Sequence, residues 1–170
     1  RLPSRTFVDP HQGLKDLLGA TLRTPSKPEI SFSDDPLRMM RAVRFAAQLD
    51  FRIDAATLSS MRTHASRISI VAPERVAVEF NKIMQVAKPS YGLGLLYTSG
   101  LLQEVLPELI ALKGIEEVEG QKHKDNFYHT LEVLDNISRT TEDTWLRWAA
   151  LLHDIGKAPT KRFNKKVGWT

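Results

Sequence analysis

From Asp35 to Leu49 apolar residues recur every three to four positions, with polar residues on the opposite side. That is the period of an amphipathic helix. Ser33-Asp34-Asp35-Pro36 supplies an N-cap candidate, early acids and a proline in the first turn, so the pattern predicts a helix from Ser33 to about Leu49. The same spacing predicts a helix over 54–66 capped by Asp54. It predicts another over 73–85, with Val76, Phe80, Ile83 and Met84 as its apolar face. A further helix over 91–99 ends at Gly100, the usual residue past a helix end. Short helices over 101–106 and 108–112 are broken at Pro107, and two more are expected over 126–139 and 144–157. Residues 114–124 are charged, contain Gly114 and Gly120, and read as a linker. Residues 1–33 are rich in turn formers and poor in apolar periodicity. Extended pieces are expected there at 6–8 and 21–23, with a turn or short helix at 12–18. This stretch cannot bury a core of its own. No strand is expected beyond it, so the fold class is all-α with a short irregular or β remnant at the N-terminus.

Composition narrows the class. The chain has 170 residues, 42% hydrophobic and 26% charged, the balance of a globular protein rather than a disordered one. No apolar run approaches the ~20 residues needed to cross a bilayer. There is no cysteine, hence no disulfide framework and no thiolate zinc site. A reducing, cytoplasmic location is the expectation. Residues 1–10 contain no apolar signal-peptide core, and the first residue is Arg rather than Met, which points to a piece of something longer. The net charge of +4 is unevenly spread. Residues 1–67 hold 11 basic against 7 acidic side chains, 103–156 hold 5 against 11, and 157–170 hold 5 against none. The basic front suits a polyanion such as nucleic acid.

Candidate chemistry begins on the first long helix. At about 100° per residue, Asp35, Arg38, Arg41 and Arg44 form a drifting stripe opposite Met39, Met40, Val43 and Ala47. Arginine presents a planar fork of donors and the aspartate presents acceptors. Together they can meet the edge of a nucleobase, or the arginines can hold phosphates. Spacing alone equally fits a solvated face with i,i+3 ion pairs of ~0.2–0.5 kcal/mol each.

Several segments, taken in order, resemble a known family. Asp9-Pro10-His11-Gln12-Gly13-Leu14-Lys15-Asp16-Leu17 resembles the D-P-x-x-G-x-x-D-L element of the bacterial class II tRNA nucleotidyltransferases, the CCA-adding enzymes and their poly(A) polymerase relatives. Asp34-Asp35-Pro36-Leu37-Arg38, followed by Arg41, Ala42, Arg44 and Phe45, resembles their E-D-x-x-R helix, with Asp34 in place of the usual Glu. Pro73-Glu74-Arg75-Val76 and Glu79 resemble the neck segment. The resemblance implies that Asp35 and Arg38 form a protein template for the incoming ATP or CTP, with Arg41 and Arg44 lining the nucleotide. It also implies an Mg²⁺-dependent parent enzyme. The Gly-Gly loop and Asp-x-Asp pair that hold triphosphate and Mg²⁺ in that family have no match in these residues, so no catalytic residue is assigned. Nucleotide transfer by the 170 residues alone is not expected.

His123, His129 and His153 lie late in the chain, with Asp154 beside His153. Imidazole nitrogen and carboxylate oxygen suit Zn, Mn, Fe or Mg. On a continuous helix His153 shares the apolar stripe with Leu146 and Ala149/Ala150 and is expected to point inward, where a satisfied core histidine is the simpler reading. His129-Thr130 and His153-Asp154-Ile155-Gly156-Lys157 resemble the opening of an HD domain, a helical metal-dependent phosphohydrolase fold. That resemblance makes His129, His153 and Asp154 ligands of a divalent metal and places Lys157 near a phosphate. A complete set needs a further downstream Asp, so tight binding is not expected here. The tail Lys161-Arg162-Phe163-Asn164-Lys165-Lys166 fits either an RNA backbone contact or a solvated terminus.

The resulting expectation has three parts. Residues 1–33 end a nucleotidyltransferase head, 34–113 form a helical neck and body for nucleotide and RNA, and 114–170 begin an HD domain. The parent would add CCA to tRNA 3′ ends from CTP and ATP. The alternatives are a poly(A) polymerase-type or A-adding enzyme, an HD phosphohydrolase, and a non-catalytic RNA-binding module.

Overall fold

The computed structural model describes residues 8–114 and 125–160, together with the backbone of 117–118, 121–122, 163–164 and 168–169. The extended piece expected at 6–8 lies mostly outside these residues, as do His123 and the side chains of the basic tail.

The chain enters through α1 (Gly13–Leu18). The Asp9 carboxylate accepts the Gly13 amide at 2.7 Å and the Leu14 amide at 2.9 Å. The Leu14 and Gly13 amides hold this exposed carboxyl below the usual carboxylate range. Next, β1 (Thr21–Leu22) pairs in parallel with β2 (Arg52–Ile53), Thr21 opposite Arg52 and Leu22 opposite Ile53.

A helix that the periodicity missed follows: α2 (Pro28–Asp34). Pro28 opens it and Glu29 stands in its first turn, both ordinary start signals. Only Ser31 and Phe32 of its seven residues are buried, too few to show a period. Ser33 therefore ends one helix instead of starting the next. The long helix, α3, runs Leu37–Leu49, and Asp35 Oδ1 accepts the Leu37 amide at 3.1 Å.

The remaining helices follow the expected pattern more closely. Asp54 caps α4 (Ala55–His64) by accepting the Ala56 and Thr57 amides, and a 3₁₀ helix covers Ala65–Ile70. The body continues as α5 (Pro73–Met84), α6 (Pro89–Thr98), α7 (Leu101–Val105) and α8 (Pro107–Ile110). Gly100 turns the chain between α6 and α7 at φ 81°, a left-handed conformation that favours glycine. Last come α9 (Asn126–Ser138), α10 (Thr144–Leu152) and α11 (Lys157–Thr160).

Two-residue ladders also occur where no strand was expected. One joins β3 (Glu117–Val118) to β4 (Gln121–Lys122), the other β5 (Phe163–Asn164) to β6 (Gly168–Trp169), both antiparallel. Strands this short carry no period-2 signature. The architecture is helical, and no described helix is long and apolar enough to cross a membrane.

The core is one cluster running from Phe32 to Leu151. At its centre α3 packs on α5 and α6, and α9 packs on α6 and α10. A Cβ at Gly92 on α6 would lie 2.5 Å from Ile83 Cγ2 and 3.3 Å from Ala47 Cβ, so glycine permits the close approach of α6 to α5 and α3.

Polar contacts fasten α9 and α10 to the body. Asp135 accepts the Ser90 amide at 3.0 Å and the Ser90 hydroxyl at 2.6 Å. Trp148 stacks on Phe80 at 5.1 Å between centroids and donates to Asn81 Oδ1 at 2.7 Å. Arg147 is 3% exposed and has no carboxylate partner among the described residues. Its guanidinium donates to the carbonyls of Met84 and Val86, just at and past the end of α5, and to those of Ser138 and Thr141 around the end of α9. The carbonyl-rich ends of two helices thus stand in for a counter-ion.

Candidate nucleotide and metal sites

The buried face of α3 is Leu37, Met39, Met40, Ala42, Val43 and Ala46. Burying it fixes the direction of the arginine stripe. Arg38 and Arg41 are exposed, and Asp35 is half-buried at the entrance to the helix. Asp35 and Arg38 form no ion pair with each other among the described residues, because each already has another partner. Asp35 Oδ1 caps Leu37, and Arg38 Nη1 donates to Ser31 Oγ at 3.2 Å. Oδ2 of Asp35 and the Nε and Nη2 of Arg38 have no partner among the described residues.

Arg44 is placed differently. Its Nε lies 2.8 Å from Glu79 Oε2 in the seam between α3 and α5, and both side chains are largely buried. The guanidinium also covers the Phe45 ring at 4.0 Å. Lys82 reaches the other Glu79 oxygen at 3.2 Å. The structure therefore leaves Arg38 and Arg41 exposed on α3, with Asp35 half-buried at its entrance, and directs Arg44 into the packing. The sequence marked Glu79 as part of the neck segment but gave no sign of its partner.

The second cluster sits where α10 ends. The expected continuous helix over 144–157 stops at Leu152. The Ile155 amide bonds to Leu152 O and the Lys157 amide to Asp154 O, so the chain tightens into three-residue turns. The inward face of α10 is Arg147 and Leu151, continued by Asp154, whereas Leu146 is 51% exposed and His153 is exposed as well. This corrects the expectation that His153 points inward with Leu146 and Ala149/Ala150. The expectation failed because an arginine, satisfied by carbonyls, occupies the buried stripe.

One ligand atom each of His129, His153 and Asp154 lies within 4.8 Å of the others. His153 Nδ1 donates to Ala150 O at 2.7 Å, which leaves Nε2, 3.3 Å from Asp154 Oδ2, facing the cluster. The Nδ1 of His129 is buried without a hydrogen-bond partner. An orphaned imidazole nitrogen among two more donors fits a metal ligand set. Burial pushes the Asp154 carboxyl up, but the Lys157 ammonium at 2.6 Å and the neighbouring His153 and His129 outweigh it and hold the carboxyl below its usual range.

Two family models match segments of this chain. Residues 50–113 match the family described as "Probable RNA and SrmB- binding site of polymerase A", and residues 126–168 match the HD domain. A multifunctional CCA protein of Methylococcus capsulatus is 38% identical over 98% of this chain. The chain belongs to the class II tRNA nucleotidyltransferase family. A second family member, the multifunctional CCA protein of Mannheimia succiniciproducens, is 38% identical over 92% of the chain. The chain spans only 41% and 39% of the lengths of these two relatives. Among solved structures, a tRNA nucleotidyltransferase complexed with a primer tRNA and an incoming ATP analog superposes with a TM-score of 0.63. That match has 21% identity and covers 88% of this chain and 43% of the other. The CCA-adding enzyme of Bacillus stearothermophilus in complex with CTP gives a TM-score of 0.58 at 19% identity over 90% and 49%. At those identities the likeness establishes the nucleotidyltransferase fold of this region and nothing finer.

Proposed function

We propose that this chain supplies the nucleotide-selecting helix and RNA-binding body of a tRNA nucleotidyltransferase that adds CCA to tRNA 3′ ends from CTP and ATP. The observation that carries this is the pair of half-buried Asp35, at the entrance to α3, and exposed Arg38, in the first turn of that helix, whose other face is locked in the core. A carboxylate and a guanidinium at fixed spacing offer acceptor and donors together, and so read a base edge as another base would. Arg41 follows on the same edge and serves the phosphates. Arg44 acts from behind as a buttress through Glu79. The basic residues of the front of the chain track the RNA backbone. The transfer step uses a divalent ion such as Mg²⁺, for which residues 34–113 offer no clustered ligand set among those described. The names of the relatives, CCA proteins and an enzyme bound to primer tRNA with an ATP analog, support this reading over poly(A) synthesis.

Arg38→Ala in the intact protein is expected to lower the preference for CTP and ATP over UTP and GTP by about tenfold to a hundredfold. Affinity for tRNA should remain nearly unchanged. Steady-state incorporation with each triphosphate measures this, and an unaltered preference would rule the template out.

A second activity is favoured by the cluster at the end of α10. His129, His153 and Asp154 would hold a divalent metal, with Lys157 beside a phosphoryl oxygen, as in a phosphohydrolase. The metal's contribution would be to polarise the phosphoryl group and activate water. Titration of the intact protein with Mn²⁺ or Ni²⁺ is expected to show binding that His153→Ala weakens at least about tenfold. Hydrolysis of a chromogenic phosphodiester should fall with it. Equal metal affinity in the variant would exclude the site.

A further inference from the structure

Both members of the template corner are attached to one buried residue, Ser31. It lies in the last turns of α2 and is 3% exposed, next to the fully buried Phe32. Its carbonyl accepts the Asp35 amide at 3.3 Å, and its hydroxyl oxygen accepts from Arg38 Nη1 at 3.2 Å. Arg38 Nη1 also approaches the Ser31 carbonyl at 3.5 Å. The end of α2 is held independently from the other side, where Arg67 of the 3₁₀ helix donates to the Ser33 carbonyl at 3.0 Å. Phe32 in the core and Arg67 at the surface thus fix the frame on which Ser31 sits.

We infer that Ser31 is a positioning residue for nucleotide selection: its hydroxyl fixes the Arg38 guanidinium at a set distance from Asp35. This rests on the template reading given above. The chemistry is simple. A long arginine side chain on an exposed helix face samples many rotamers, and ordering it at the moment of binding opposes affinity. One hydrogen bond from Nη1 to a rigid hydroxyl removes much of that freedom. It leaves Nε and Nη2, which have no partner among the described residues, to face the base. Since the Asp35 backbone hangs from the same residue, the donor and acceptor halves keep a common origin. A base of the wrong pattern then meets a corner that cannot rearrange to suit it.

The test compares Ser31→Ala, Ser31→Cys and Ser31→Thr in the intact protein. Ala removes the acceptor, Cys keeps the volume but replaces it with a weak one, and Thr retains it. The readouts are the ratio of kcat/KM for CTP over UTP and for ATP over GTP, the Kd for tRNA, and Tm. Ala and Cys are expected to lower both ratios about fivefold to tenfold, as loss of a hydrogen bond to a charged group would. Kd and Tm should stay close to wild type, and Thr should restore the ratios. Unchanged ratios in Ala and Cys would overturn the inference. So would an equal loss toward all four nucleotides with a lowered Tm, the mark of a merely structural serine. Arg38→Ala separates the two levels. If it abolishes selection while the Ser31 variants do not, only the role of Ser31 falls. If it leaves selection intact, or the wild-type protein transfers no nucleotide, the template reading falls and the inference with it.

Discussion

Arg147→Ala is expected to lower the unfolding free energy by about 4 kcal/mol, measured by urea or thermal denaturation. All three guanidinium nitrogens of Arg147 donate to carbonyls: Nε to Thr141, Nη1 to Met84 and Val86, and Nη2 to Ser138 and Thr141. Removing the side chain leaves four carbonyls facing a space from which bulk water is largely excluded. An unsatisfied buried acceptor costs ~1–3 kcal/mol, and water entering the new cavity recovers only part of that. The alkyl stem is lost as well, and with it contact in the seam between α5, α9 and α10. Arg147→Lys should recover less than half. An ammonium carries three donors at one point and cannot span carbonyls from two helix ends. A loss below about 1 kcal/mol for Arg147→Ala would mean that the carbonyls find other partners.

Glu79→Ala is the second large effect, expected at about 3 kcal/mol. Glu79 is 7% exposed and is the carboxylate that accepts Arg44 in the seam between α3 and α5. Without it a mostly buried guanidinium has, among the described residues, only the Phe45 ring for compensation. The informative comparison is the double variant Arg44→Met, Glu79→Leu. Breaking a buried pair is costly because one charge is stranded, whereas replacing both members by apolar groups of similar volume is often close to neutral. The double variant should therefore be more stable than Glu79→Ala, by about 2 kcal/mol in the same denaturation series. Equal destabilisation would show that shape, rather than charge, sets the value of the pair. With Arg44 and Glu79 both apolar, retained selection among triphosphates would support the assignment of Arg44 to packing.

The parts of the fold legible in the sequence are those with several helical turns of pattern. The buried residues of α3 and α5 match their apolar periodicity, and Asp54 marks the start of α4 as its spacing required. The helix α2 escaped notice because two buried residues cannot make a period, although Pro28 and Glu29 carry the capping signal. Ser31 escaped with it. The end of α10 was misjudged for another reason. Hydropathy assigns arginine to the surface, yet Arg147 lies inside because four carbonyls converge on it, two of them, from Met84 and Val86, distant in sequence. That convergence is a property of tertiary structure and leaves no local trace. Putting Arg147 inside rotates the whole face, so Asp154 is buried and His153 is exposed. The grouping of His129, His153 and Asp154 was still legible, because the motif names those positions irrespective of which way a helix is turned, and the three side chains do come together. Of the arginine stripe, spacing put Arg38 and Arg41 near one another, but it could not show that Arg44, three residues on, meets a carboxylate from another helix.

The carbonyl shell of Arg147 bears on where this chain can be divided. Met84 and Val86 fall within the segment matched to the RNA-binding family, and Ser138 and Thr141 fall within the segment matched to the HD domain. The glycine-bearing stretch between those segments looks in sequence like a natural place to cut. A cut there would leave one half with a bare helix end and the other with a buried cation short of two acceptors. The two segments match separate families, yet the guanidinium of Arg147 ties them together on this side of the molecule.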